Sequence, residues 1–180
     1  VRDSWGDGGA TINVLESTGG STYTGPTISG NTIGLSAGRV APNAVGITAE
    51  DCAAVSVQSS QNVINIGDNA IVITDCDFND VGSTVTGDDL SSTVAIVADD
   101  TNVALTLNGT TVSGYATGVS KENGDLSMIG DADISGTDYG VFATDTYVVA
   151  IGAHVSGGST GTGLHVEDSP DVWVYPMDAS

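Results

Sequence analysis

A chain of 180 residues is one domain's length, and its 23 acidic residues against one lysine and two arginines leave a net charge of −20. Such a surface repels phosphate backbones and acidic bilayers, which excludes nucleic-acid binding and attachment to an anionic membrane face. No apolar run is long enough to span a membrane, so no membrane insertion is expected.

In chain order, the opening at Val1, without Met or a signal-peptide pattern, is expected of a mature product or an excised piece of a longer extracellular protein. Ile28 and Ile33 begin a first apolar unit that Gly46-Ile47 closes after a loop near 34–44. Val55, Val57, Val63 and Ile66 make a tighter unit. Ile71, Ile73 and Phe78 start another, which the polar stretch 81–93 interrupts and Val94-Ala95-Ile96 resumes.

From there the spacing is regular. Leu107, Ile129 and Ile151 fall 22 apart, and Val112, Ile134 and Val155 fall 22 and 21 apart. Gly118-Val119, Gly140-Val141 and Gly163-Leu164 follow in the same rhythm. Polar turns such as Lys121-Glu122-Asn123-Gly124 separate the apolar pieces. Alternation punctuated by Gly, Asn and Asp predicts strands, and no segment carries a capped helical period. Trp173, Tyr175 and Pro176 stand past the last full unit, as a cap or as the start of a further one.

Three short strands per unit of about 22 residues predict an all-β, right-handed, single-stranded parallel β-helix with about 6–7 rungs and almost no helix. Residues 1–180 form one domain, with loops near 34–44 and 81–93. Ile28-Ser29-Gly30-Asn31-Thr32-Ile33, and the run from Asn102-Val103 to Gly118-Val119, resemble the right-handed parallel β-helix repeat superfamily of pectate-lyase-like solenoids. That resemblance covers most of 25–175. It implies the fold and leaves the activity open, because the superfamily includes lyases, glycosidases, epimerases, adhesins and viral tailspikes. The scarcity of Lys beside abundant Asp, Thr, Gly and Val resembles surface proteins of halophilic or marine microbes.

The candidate site residues are mostly acidic. Asp75-x-Asp77 and Asp131-x-Asp133 read as holding the same place in their units, and paired carboxylates suit Ca²⁺, the one cofactor suggested here. The alternative is solvated turn Asp. Arg39 lies in the first loop and Asp88-Asp89 in the second, where a partner or cation would meet them. Asp88-Asp89 and Asp99-Asp100 are also the candidate acid/base pairs for glycoside hydrolysis, but neither Gly-His-Gly nor Arg-x-Lys accompanies them. His154 and His165 read as outward strand residues, with a base or metal-ligand role as the alternative. Cys52 and Cys76 are 24 apart, close to one rung, which suits either a disulfide or two stacked thiols.

These features predict a non-catalytic structural or binding module of an extracellular or cell-surface protein: an adhesin, sheath, filament or viral-fibre type. Self-association, and stabilisation by salt or calcium, are expected of it. Its partners would be copies of itself or surface glycans. The alternative is a polysaccharide-active lyase, glycoside hydrolase or epimerase.

Overall fold

In a computed structural model, the described residues are 2–4, 10–14, 27–34, 45–50, 56–88, 93–99 and 104–175. Every strand pairing among them is parallel, and no helix occurs among them. The chain winds as a parallel β-helix with three faces. A first face is built by Val45–Glu50, Ile71–Thr74, Val94–Asp99, residues 117–122, residues 139–144 and Thr162–Glu167. The second comprises Ser56–Ser60, Asp77–Val81, Ala104–Asn108, residues 124–129, residues 146–151 and Val172–Tyr175. The third is a separate seven-stranded sheet that includes Val63–Asn65, Thr84–Thr86, Thr111–Ser113, Asp133–Ser135 and His154–Ser156. Five full turns lie between Val45 and Ser156, with further strands at both ends, slightly fewer than the six to seven rungs expected.

The core is a set of inward columns, each one position repeated turn after turn. Ile33, Ile64, Val85, Val112, Ile134 and Val155 form the third-face column. Ile47, Ile71, Ile96, Val119, Val141 and Leu164 form one on the first face. On the second face the columns are Val57-Phe78-Leu105-Leu126-Val148-Val172 and Ser59-Asp80-Leu107-Met128-Ala150-Val174. The regular spacing of Leu107 with Ile129 and Ile151 is therefore one residue out of register. Leu107 pairs with Met128, both fully buried, while Ile129 lies on the outer side and Ile151 is 49% exposed. The cause is local: Gly130 and Asp131 both take positive φ, 60° and 63°. They add one residue to that corner relative to the turn before.

The corners explain the chain's composition. Between the second and third faces, Gly30, Gln61, Gly82, Gly109, Gly130 and Gly152 all adopt φ between 51° and 69°. Between the first and second faces, Asp75, Asn123, Asp145 and Asp168 do the same, at 49° to 60°. Asp and Asn are the side-chain-bearing residues that best tolerate this region.

The loop expected at 81–93 is shorter. Val81 ends a strand and Thr84–Thr86 is a regular third-face strand, so the excursion begins only at Gly87. The expected loop near 34–44 falls, after Gly34, outside the described residues.

The interior is partly polar. Asp80 is fully buried and accepts hydrogen bonds from the Ser83 hydroxyl (2.6 Å), the Thr110 hydroxyl (2.6 Å) and the Ser83 amide (3.3 Å). Asn62, also buried, accepts from the Asn31 amide and donates to the Ile28 carbonyl and the Ser59 hydroxyl. Asn31, Asn62, Ser83 and Thr110 each precede a third-face strand, so this ladder ties successive turns through side chains as well as backbone.

The register assignment predicts an asymmetry between two neighbours. Met128→Ala should cost about 2–5 kcal/mol by emptying a core position, whereas Ile129→Ala should cost under about 1 kcal/mol. Urea unfolding of the two variants checks this, and equal losses would contradict the register.

Candidate functional site

The sequence-derived acidic pairs do not converge. Asp77 stands on the second face in a column with Ala104, Asp125 and Tyr147, and accepts the Ala104 amide at 2.9 Å. Its pairing residues show that Asp133 is not its equivalent: Asp133 belongs to the third face, between Thr111 and His154. Asp75 shares its left-handed corner with Asn123, Asp145 and Asp168, and Asp131 sits at the other corner. Among the described residues, no group of three or more His, Cys, Asp and Glu is arranged to hold a metal. Arg39 and Asp89 lie outside the described residues, and Asp88 is exposed at the root of its loop.

Cys76 is buried and disulfide-bonded. Cys52, the chain's other cysteine, lies outside the described residues. Glu50 pairs with Thr74 on adjacent turns, and each cysteine follows its member of that pair by two positions in the sequence.

The single lysine is not in a solvated turn. Alternation from Val119 points Lys121 inward, in a column between Ala98 and Ala143, where it is almost wholly buried. Its ammonium donates to the carbonyls of Glu122 (3.0 Å) and Asn123. In the next turn Thr146, fully buried, donates its hydroxyl to the Thr144 carbonyl at 2.8 Å and lies 3.2 Å from that of Lys121. The amine is thus held inside the solenoid by backbone oxygens at the bend between the first two faces.

Tyr115 closes the root of the second loop. Its buried hydroxyl donates to the Ile66 carbonyl at 2.5 Å. Beside it, Gly87 and Gly114 pass so closely that a Cβ on Gly87 would lie 2.0 Å from the Gly114 carbonyl oxygen. Burial, and then the carboxylates of Asp88 and Asp68, hold the phenol well above its ordinary pKa.

The histidines lie on different faces. On the third face His154 Nδ1 is 3.0 Å from Asp133 Oδ1, an exposed pair. On the outer side of the first face, His165 stacks on Phe142 of the preceding turn, with centroids 5.1 Å apart and planes 8° apart. Tyr139 meets both rings edge-on, at 5.4 Å each. The other ring nitrogen side of His165 is engaged too: Nε2 lies 2.8 Å from Glu167 Oε1. Tyr139 also walls a shallow depression of about 250 Å³, together with Asp138, Thr160, Gly161 and Thr162. This is the place where rings, a carboxylate, hydroxyls and a concave surface come together.

Sequence reasoning placed His165 outward but did not join it to Tyr139 or Phe142. The available signal was register: Phe142 and His165 each follow by one residue a first-face core position, Val141 and Leu164. No protein-family model matches this chain, and comparisons with curated proteins and with solved structures find no match either.

The Tyr115 environment has a pH signature. Below the ordinary phenol pKa of about 10, Tyr115 is neutral folded and unfolded, and its contribution is fully present. As pH rises past about 10, the unfolded chain releases the proton while the folded chain keeps it, so stability falls. Tyr115→Phe should cost about 1 kcal/mol at pH 8 through the lost hydrogen bond and show a shallower decline by pH 11. Urea midpoints at both pH values check this, and parallel declines would refute it.

Proposed function

We propose that this chain is a non-catalytic structural and binding module of an extracellular or cell-surface protein, of the adhesin, sheath, filament or viral-fibre type. The observation that carries the reading is the exposed apolar surface of the last described turn, residues 172–175. Val172 and Val174 occupy inward columns, yet are 44% and 57% exposed, where their partners Val148 and Ala150 one turn earlier are buried. Trp173 and Tyr175 stack beside them, also exposed, at 6.1 Å. A β-helix turn whose inward columns are exposed is a template for another parallel turn.

Other observations agree. A disulfide-bonded Cys76 suits an oxidising, extracellular setting. The charge of −20 suits saline surroundings, where screening relieves self-repulsion. This supports the likeness to surface proteins of halophilic or marine microbes and leaves Ca²⁺ as a possible bridge between acidic faces. The three-faced parallel winding supports the proposed resemblance to pectate-lyase-like solenoids. A second reading, a polysaccharide-active enzyme, is favoured by the His165–Glu167 contact, an imidazole paired with a carboxylate next to the ring cluster.

Two measurements test the proposal. Light scattering across a concentration series should show end-to-end oligomers that grow as salt rises from about 0.1 to about 1 M, since the Debye length shrinks from about 10 to about 3 Å. Val174→Asp should suppress them, and monomer under every condition, including with Ca²⁺, would overturn the assembly role. A depolymerisation screen on neutral and uronate polysaccharides should yield no new reducing ends. Turnover lost in His165→Ala or Glu167→Gln would replace the module with the enzyme.

A further inference from the structure

We propose that the outer surface of the last turns of the first face, around Tyr139 and His165, binds a neutral hexose unit of a glycan. This rests on the binding-module reading above and names the ligand class. Outward positions on a β-helix repeat at the turn spacing, so side chains two turns deep can present one continuous surface. Here residues 139–144 and Thr162–Glu167 pair directly, Tyr139 with Thr162 and Phe142 with His165. The paired strands place the three rings side by side. None of the three is fully buried. The depression meets this cluster through Tyr139 and is otherwise polar: the Asp138 carboxylate, the exposed Thr160 and Thr162, and Gly161.

The chemistry of the lining selects among ligands. Anions are disfavoured by the charge of −20, by Asp138 in the depression and by Glu167 on His165. A purely apolar ligand would leave the carboxylate and hydroxyls without partners. A pyranose supplies what remains. Its C–H face packs on an aromatic ring, and its hydroxyls donate to Asp138 and exchange hydrogen bonds with Thr160 and Thr162. The shallowness and the volume of about 250 Å³ limit the contact to about one ring, so affinity for a longer chain would come from repetition along an assembly. An ammonium group is the competing ligand, because rings beside a carboxylate also suit a cation.

The test uses the whole chain at about 1 M NaCl. Calorimetric titration and saturation-transfer NMR would employ neutral hexose oligosaccharides, uronate oligosaccharides and tetramethylammonium. Binding of neutral oligosaccharides with Kd in the millimolar range is expected, that is, roughly −4 kcal/mol. Tyr139→Ala and His165→Ala should each weaken it about tenfold or more, whereas Trp173→Ala on the second face should leave it unchanged. Perturbed Tyr139 and Phe142 ring resonances in the unmodified protein provide a readout independent of whether the variants fold. Absence of neutral-sugar binding, a preference for tetramethylammonium or uronates, or loss in Trp173→Ala alone would overturn the site. Such results would leave self-assembly standing, whereas hydrolysis of the same oligosaccharides would overturn the module reading itself.

Discussion

Everything in this molecule depends on in-register parallel stacking, in which each residue's principal neighbour is its own counterpart one turn away. Thr117–Ile129 pairs with Tyr139–Ile151 at eleven positions, from Thr117 with Tyr139 to Ile129 with Ile151. Inward aliphatic columns result from that pairing, and so does the absence of a conventional two-layer core. A turn by itself buries no closed core, so stability is shared between neighbours, and an uncovered turn remains unsatisfied on one side. The exposed Val172 and Val174 and the cluster of Tyr139, Phe142 and His165 are two consequences of the same rule, one on an end and the other on a flank.

The rule also makes interior polarity tolerable. Asp80 occupies a column whose later members are Leu107, Met128 and Ala150, and a lone carboxylate there would be strongly destabilising. It is met by Ser83 of its own turn and Thr110 of the next. Asn62 is likewise met by Asn31 of the previous turn. Shifting one turn against another would break these contacts together. The ladder thereby penalises slippage in a stack whose aliphatic members are otherwise nearly interchangeable. Where the corner residues become Ala132 and Ala153, the adjoining inward column is wholly apolar, so the polar and apolar solutions each remain internally consistent.

Much of the architecture was legible in the sequence because stacking imposes a period. Val112, Ile134 and Val155, and Val119, Val141 and Leu164, are true columns, and Gly-Asn-Asp punctuation does mark corners. What failed was the assumption that residues at similar spacing and with similar neighbours are equivalent. The extra residue at Gly130-Asp131 moves Leu107 opposite Met128 instead of Ile129, and a one-residue shift exchanges inside for outside. The same assumption equated Asp77 with Asp133, which occupy different faces. Lys121 was misread for another reason: polarity suggested a turn, although strict alternation from Val119 places it inward. The ring cluster was invisible to motif reading because His165 lies 23 residues from Phe142 and 26 from Tyr139 and meets them only when first-face strands are aligned.

The corners connect the acidic composition to this geometry. A winding of three flat faces needs sharp bends, and several of those bends require positive φ. Glycine satisfies that requirement at most turns of the second corner, with Gln61 the exception at its position, and Asp or Asn does so at the first. Residues such as Asp75, Asp145 and Asp168 are therefore explained by backbone conformation before any ligand is invoked. Asp145 and Asp168 nevertheless stand at the same corner on adjacent turns, so their charges face each other one turn apart. Repulsion at that corner opposes the stacking that holds the turns together, and it falls as salt is added. Conformational demand thus selects the Asp, stacking brings neighbouring carboxylates to within one turn of each other, and dissolved ions screen the repulsion between them.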